Sequence, residues 1–305
     1  MRSISVGAGL LACVGCSAGK TVTLGEITPL PYHFDAPQLV AELASTSRTD
    51  NPTLTGDLLE IYFTTERVSG NGDVWFAARA SAAEPFGAPA PVSAVNGSSF
   101  ETSSAISTDG LTLWFGSDRD GGTGAVDVWV SQRGTRGGDW STPVNVVALN
   151  SASDDIPRPP GQHGLVMPMA SSRPAGTNPN GNYQTYLAAR PGDGSPFTTP
   201  APIPELDNPD RSTVDGFLTD DGLTLFFSAT PNAGAALDGG AGNADLYVAW
   251  RQGTSDHFSF TQPLDDLNTP GDERDPWLTP DGKTLYFTSD RGGTLNIYTA
   301  QVQPR

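Results

Sequence analysis

One short pattern recurs five times along this chain of 305 residues. It reads "LTGDLLEIYFTTER" from Leu54, "ISTDGLTLWFGSDR" from Ile106 and "PGQHGLVMPMASSR" from Pro160. It returns as "LTDDGLTLFFSATP" from Leu218 and "LTPDGKTLYFTSDR" from Leu278. Its turn position is held by Asp57, Asp109, His163, Asp221 and Asp281. Asp-Gly between apolar runs signals a hairpin, because the turn needs positive φ. A second element follows each copy: "DVWFAAR", "DVWVSQR", "QTYLAAR", "DLYVAWR" and "NIYTAQV". Its polar and apolar residues alternate with period two, the mark of a half-buried strand. In four copies Arg79, Arg133, Arg190 or Arg251 closes this element, and Phe86, Trp140, Phe197 or Phe258 follows seven residues later. Prolines and an aliphatic pair such as Val92 and Val95 come next. Proline suits an outer edge strand, where some N–H groups need no partner.

One unit therefore reads strand, Asp-Gly turn, strand, loop, strand, short link and edge strand. Four antiparallel strands in about 55 residues, repeated, predict the blades of a β-propeller. The fold class is all-β, a five-bladed β-propeller. The last copy, ending "NIYTAQVQPR", lacks its edge strand, whereas the N-terminal "FDAPQLVAEL" has a spare one. Phe34, Pro37, Val40 and Leu43 match the spacing of Phe86, Pro89, Val92 and Val95, so residues 34–44 are expected to complete the last blade and close the ring. Blade three departs from the pattern: Gln162-His163 replaces the polar-Asp pair and Pro168 falls inside its second strand.

The segment "PWLTPDGKTLYFTSDR" resembles the core of the TolB-type (WD-like) propeller repeats, P-x-[FLW]-S-P-D-G-x-x-L-[YF]-F-x-S-[DN]-R. The resemblance covers residues 34–302 and implies a propeller of an exported protein. It says nothing about chemistry, which resides in sites and not in folds.

Export has its own signal. Ile4 to Val14 is apolar and shorter than the roughly 20 residues of a spanning helix, which suits a signal-peptide core. The following "LLACVGCSAGK" resembles a bacterial lipoprotein signal, in which Cys16 is the lipidated residue and Cys13 the alternative. An ordinary secretory signal is the competing reading. These are the only cysteines, so the folded part holds no disulfide. The expected organisation is a signal peptide over 1–16, a tether over 17–33 and one propeller over 34–305. The protein would sit in the periplasm or at the cell surface, tied to the outer membrane by lipid alone.

Formal net charge is -17, which repels phosphate backbones and argues against nucleic acid as a partner. The acids lead into the first strand of each blade: Asp50, Glu101, Asp154 with Asp155, Asp215, and Asp272, Glu273 and Asp275. Repetition around a ring would gather them at one channel mouth. Two chemistries follow. As a glycosidase, the channel would use two carboxylates roughly 5–10 Å apart, drawn from Glu101, Asp155, Asp215 and Asp275. As a binding mouth, Asp50, Glu101, Asp155, Asp215, Asp272, Glu273, Asp275 and the neighbouring Trp277 would hold a protein, a cell-envelope component or a carbohydrate. A lectin-like ring is a third reading. Calcium needs roughly six to eight oxygen ligands, and no local loop of that kind is present, so no cofactor is assigned. His33, His163 and His257 have no ligand spacing, which leaves zinc without a site. No nucleophile elbow, phosphate loop or dinucleotide fingerprint occurs. The "SDR" pairs Asp118-Arg119 and Asp290-Arg291 could clamp a ligand, but since Arg67 and Arg173 repeat the position they are expected to form ion pairs and turn contacts within or between blades. Trp75, Trp129, Tyr186, Tyr247 and Tyr298 are expected in the core. The sequence favours a monomeric binding module over an enzyme.

Overall fold

The computed structural model describes residues 30–68, 70–174, 182–208, 211–231 and 243–305. Cys13, Cys16, the N-terminal apolar stretch and most of the tether lie outside the described residues, as do residues 69, 175–181, 209–210 and 232–242. The propeller body is Tyr32–Arg305.

Two short strands open it, β1 (Tyr32–Phe34) and β2 (Gln38–Leu39). Blade one is β3 (Thr49–Leu54), β4 (Glu60–Thr65), β5 (Asp73–Ala78) and β6 (Ala90–Pro91). Blade two is β7 (Glu101–Ile106), β8 (Thr112–Ser117), β9 (Asp127–Gln132) and β10 (Val144–Asn145). Blade three is β11 (Asp155–Pro157), β12 (Val166–Ser171), β13 (Gln184–Ala189) and β14 (Ala201–Pro202). Blade four is β15 (Arg211–Leu218), β16 (Thr224–Pro231), β17 (Asp245–Trp250) and β18 (Phe260–Pro263). Blade five is β19 (Glu273–Leu278), β20 (Thr284–Ser289) and β21 (Asn296–Pro304). All pairings are antiparallel, and no described residue is helical.

The last blade is completed from the N-terminus. Gln38 and Leu39 pair with Thr299 and Tyr298, while Tyr32 to Phe34 pair with Pro304 to Val302. Phe34 and Leu43 are buried, and Leu43 joins Leu54, Ile61 and Ile297 in the core between the last and first blades. Such closure removes an exposed sheet edge. Blade three keeps its four strands, and Pro168 pairs with Leu187 inside β12.

Two arginine series hold the blades. Arg79, Arg133, Arg190 and Arg251 lie 4.3, 4.6, 4.8 and 4.7 Å over Phe86, Trp140, Phe197 and Phe258. The seven-residue spacing in the sequence is thus a cation–π contact. Arg67, Arg119, Arg173 and Arg291 stack on Trp75, Trp129, Tyr186 and Tyr298 at 5.1–5.3 Å, which explains the recurrence of those rings on one strand position.

Candidate functional site

The first strands of the blades line the channel, and four of them carry an extra residue. Their register slips between Asp50 and Thr53, Thr102 and Ala105, Val214 and Phe217, and Arg274 and Trp277. At the slip Asn51, Ser103, Asp215 and Asp275 have φ of 54, 50, 59 and 56°. Asn and Asp tolerate this left-handed region better than most residues, and a bulge re-aims its side chain. Blade three has Pro157 in register there. Proline cannot adopt positive φ, so the strand runs without a bulge into Arg158.

That arginine, 1% exposed, reaches across the channel. Its Nη1 donates to Asn51 Oδ1 at 2.7 Å and lies 3.4 Å from Asp275 Oδ1. Ser103 Oγ also donates to Asn51 Oδ1 at 3.0 Å. The Asn51 N–H donates to Asp275 Oδ2 at 3.1 Å, the Asp275 N–H to Ser228 Oγ at 3.3 Å, and Ser228 Oγ to Asp215 Oδ2 at 3.0 Å. One branched hydrogen-bond network therefore links all five blades across the channel.

Three carboxylates, Asp50, Asp215 and Asp275, line a small chamber here with Arg48 and Arg274, and Arg158 reaches Asp275 from blade three. Arg48 pairs with Asp50. Burial pushes the Asp50 carboxyl up; Arg48 opposes this and the charge of Asp275 adds to it. Asp215 is densely surrounded by protein while keeping part of its surface open to the channel. Burial first, and then the charge of Asp275, push its carboxyl up to about 7 against the pull of Arg158, Arg274 and the Ser228 hydroxyl. The chamber they line holds only about 30 Å³, room for one or two waters and far below the roughly 300 Å³ of small-molecule sites.

Glu101, Asp155 and Glu273 occupy a different register and are fully buried. Each accepts a serine hydroxyl, from Ser117, Ser171 and Ser289 at 3.0, 2.6 and 2.7 Å. Each also caps a loop N–H, of Gly97, Ser151 and Thr269 at 3.1, 2.6 and 2.7 Å. Arg119, Arg173 and Arg291 complete these sites at 2.8, 2.5 and 3.3 Å and bind the carbonyls of Val95, Leu149 and Leu267 with the same Nη2. These acids staple the end of one blade's outer loop to the inner strands of the next. The acids grouped by sequence as one repeated set thus divide between channel and staple. Asp272 is half-buried, accepts the Ala244 N–H at 2.7 Å and lies 3.2 Å from Arg274 Nη2.

A wide concavity lies at the other mouth, where the Asp-Gly hairpins converge. It encloses about 710 Å³, within the range of ligand sites. Leu54, Ile106, Leu218, Leu278, Phe217 and Trp277 form apolar lining, and Asp57, Asp220, Asp221 and Asp281 face it with the cation Arg136. Trp277 thus lines this mouth, its ring 5.9 Å from Phe217 and 5.9 Å from Tyr286. The rim is set by the hairpins: Thr55, Thr219 and Thr279 hydroxyls donate to Asp57, Asp221 and Asp281 at 2.7, 2.6 and 2.7 Å. Burial works against the charge of Asp57, but the Thr55 hydroxyl, the Leu59 N–H and Arg136 outweigh it and hold its carboxyl below the usual value. The Thr279 hydroxyl does the same for Asp281 against slight burial, aided by Lys283. The sequence marked these aspartates as turn residues only. The available signal was the apolar residue just before each turn, at the open end of a channel strand.

No protein-family model and no curated protein sequence matches the chain. Solved structures share its fold. TolB from Acinetobacter baumannii is 15% identical with a TM-score of 0.50 over 87% of this chain, which spans 56% of the TolB chain. An α-L-arabinofuranosidase from Podospora anserina, solved in complex with cellotriose, is 10% identical with a TM-score of 0.51, covering 90% of this chain and 97% of that one. A thermostable family-43 glycoside hydrolase is 9% identical with a TM-score of 0.50, covering 85% and 90%. Together they define the class, a propeller fold that hosts both TolB and glycosidases, and at these identities they speak to fold alone.

Proposed function

We propose that this chain is an exported binding module of the cell envelope, and that it docks a protein segment in the wide mouth. The observation carrying this reading is the cavity of about 710 Å³ with apolar lining and an acidic rim, beside a central chamber too small for a sugar ring. Four rim carboxylates against Arg136 and Lys283 favour a segment that alternates cationic with aliphatic or aromatic side chains. In this reading residues 1–16 are a signal peptide, Cys16 (or Cys13) carries the lipid, 17–33 is the tether, and 34–305 is the ring held off the outer membrane.

The test is fluorescence anisotropy with synthetic peptides alternating Lys or Arg with Leu or Trp, beside charge-reversed counterparts. Salt-sensitive binding of the cationic peptides alone, lost in Asp220→Lys with Asp221→Lys, supports the reading. Equal binding of both peptide sets, or indifference to the rim substitutions, overturns it. A chromogenic-glycoside screen runs in parallel, and turnover abolished by Asp215→Ala would replace the binding reading with a hydrolase. Mass spectrometry of the mature N-terminus decides the anchor: an unlipidated Cys16 and Cys13 removes it.

A further inference from the structure

Asp215 and Asp275 are each two residues from an aromatic that walls the wide mouth. The strands read Asp215-Gly216-Phe217 and Asp275-Pro276-Trp277. Both carboxylates sit at bulges with positive φ, and the two rings touch across the blade junction at 5.9 Å. Ser228 also bridges them, because its Oγ donates to Asp215 and accepts the Asp275 N–H.

The surroundings decide which way β15 can give. Toward blade three it cannot: a Cβ at Gly216 would lie 3.1 Å from Thr185 Cγ2 and 3.2 Å from Pro168 Cβ. Neither β12 nor β13 puts a charge beside it there. Within its own blade β16 offers Ser228. On the side of blade five, β19 presents Arg274 and Asp275, and Arg158 enters from the end of β11. Across the chamber, beyond Asp275, stand Asp50 and Arg48. The soft direction is therefore the β15–β19 junction, where Ser228 bridges Asp215 to the Asp275 backbone and the charge of Asp275 acts on Asp215.

We propose that this junction is an acid-responsive device: proton uptake by Asp215 relieves its repulsion with Asp275, draws the two bulges together and tightens the Phe217–Trp277 wall of the wide mouth. The inference names a regulation of the docking site proposed above, but its test needs no partner, so either reading can fail alone. Burial already places the Asp215 carboxyl near neutrality, which sets the range to examine.

The experiment is an NMR titration of the full chain from pH 5.5 to 8.5. It follows the assigned Trp277 indole resonance and, in aspartate-labelled protein, the Asp215 carboxyl carbon. Both are expected to move together with a midpoint of about 7. In Asp215→Asn the indole resonance should stay at its acid-side position throughout. Histidines as a class change charge in this range, and His163 lies at the rim against Asp220, so His163→Gln is the control and should leave the titration intact. A flat indole profile overturns the proposal. So does a titration that persists in Asp215→Asn or disappears in His163→Gln. The wild-type carboxyl titration stands without any variant: a carboxyl that stays ionised to pH 5.5 removes the device.

Discussion

Replacing Arg291 with Met separates a structural from a chemical role for the buried acids. The guanidinium donates to Leu267 O at 2.6 Å and to Ser289 Oγ at 2.8 Å, lies 3.3 Å from Glu273 Oε1, and stacks on Phe287 and Tyr298 at 5.2 and 5.3 Å. Its loss strands the Leu267 carbonyl and removes the cation paired with a fully buried carboxylate. Glu273 keeps the Thr269 N–H and the Ser289 hydroxyl, at 2.7 Å each, which softens the effect. Breaking a buried pair costs roughly 3–5 kcal/mol. Arg291 retains some solvent access, which places the expected loss at the low end, about 3 kcal/mol. For a body of this size that is a fall in Tm of roughly 6–12 °C. Glu273→Gln should cost less, about 1–2 kcal/mol, because the freed guanidinium can reach water. A double-mutant cycle by urea unfolding should return a coupling of about 1–2 kcal/mol. Arg119→Met and Arg173→Met should repeat the loss, whereas Arg136→Met, whose partner Asp57 is exposed, should cost under about 1 kcal/mol. An Arg291→Met protein within about 0.5 kcal/mol of wild type, or an additive cycle, would refute the staple.

Two further outcomes follow from the same geometry. The folded Asp215 carboxyl near 7 stands above its ordinary 3.8, so the stability it contributes is complete below about pH 4 and is lost as pH rises through about 7. With at most about 1.4 kcal/mol per pH unit, unfolding at pH 5.5 should need about 1–2 kcal/mol more than at pH 7.5. Asp215→Asn should flatten that difference, and an unchanged slope would contradict the assignment. Removing residues 1–44 takes away both closing strands and the buried Phe34 and Leu43. Since Leu→Ala alone costs about 2–5 kcal/mol at such a site, circular dichroism should show Tm falling by more than about 10 °C, while removal of residues 1–29 should leave it unchanged. An unaltered melt without residues 30–44 would sink the closure.

The ring was legible because each signal is local. Asp-Gly turns, period-two alternation and the arginine–aromatic spacing all act within one blade, and Phe34 with Leu43 repeated the edge-strand pattern at the wrong end of the chain. The channel was less legible for a definite reason. A bulge inserts one residue, which breaks the period of two and sends acids that look equivalent in sequence to different faces. Glu101 and Asp275 therefore parted, one into a staple and one into the channel. Blade three hid more: Pro157 forbids the bulge, and only the resulting register brings Arg158 across to Asn51 and Asp275. The wide mouth is built from the ends of strands in several blades, so no single stretch of sequence announces it, and Trp277 was noticed for its neighbours and not for the cavity it lines.

The measurement that bears most directly on the wide mouth as the working site is amide shift mapping with the cationic, apolar peptide. Binding there should perturb residues around Leu54 to Asp57, Phe217 to Asp221 and Trp277 to Gly282, and leave Arg48, Asp50 and Tyr183 unmoved. Perturbations centred on Asp50, Tyr183 and Asp272, with the hairpin rim silent, would contradict it.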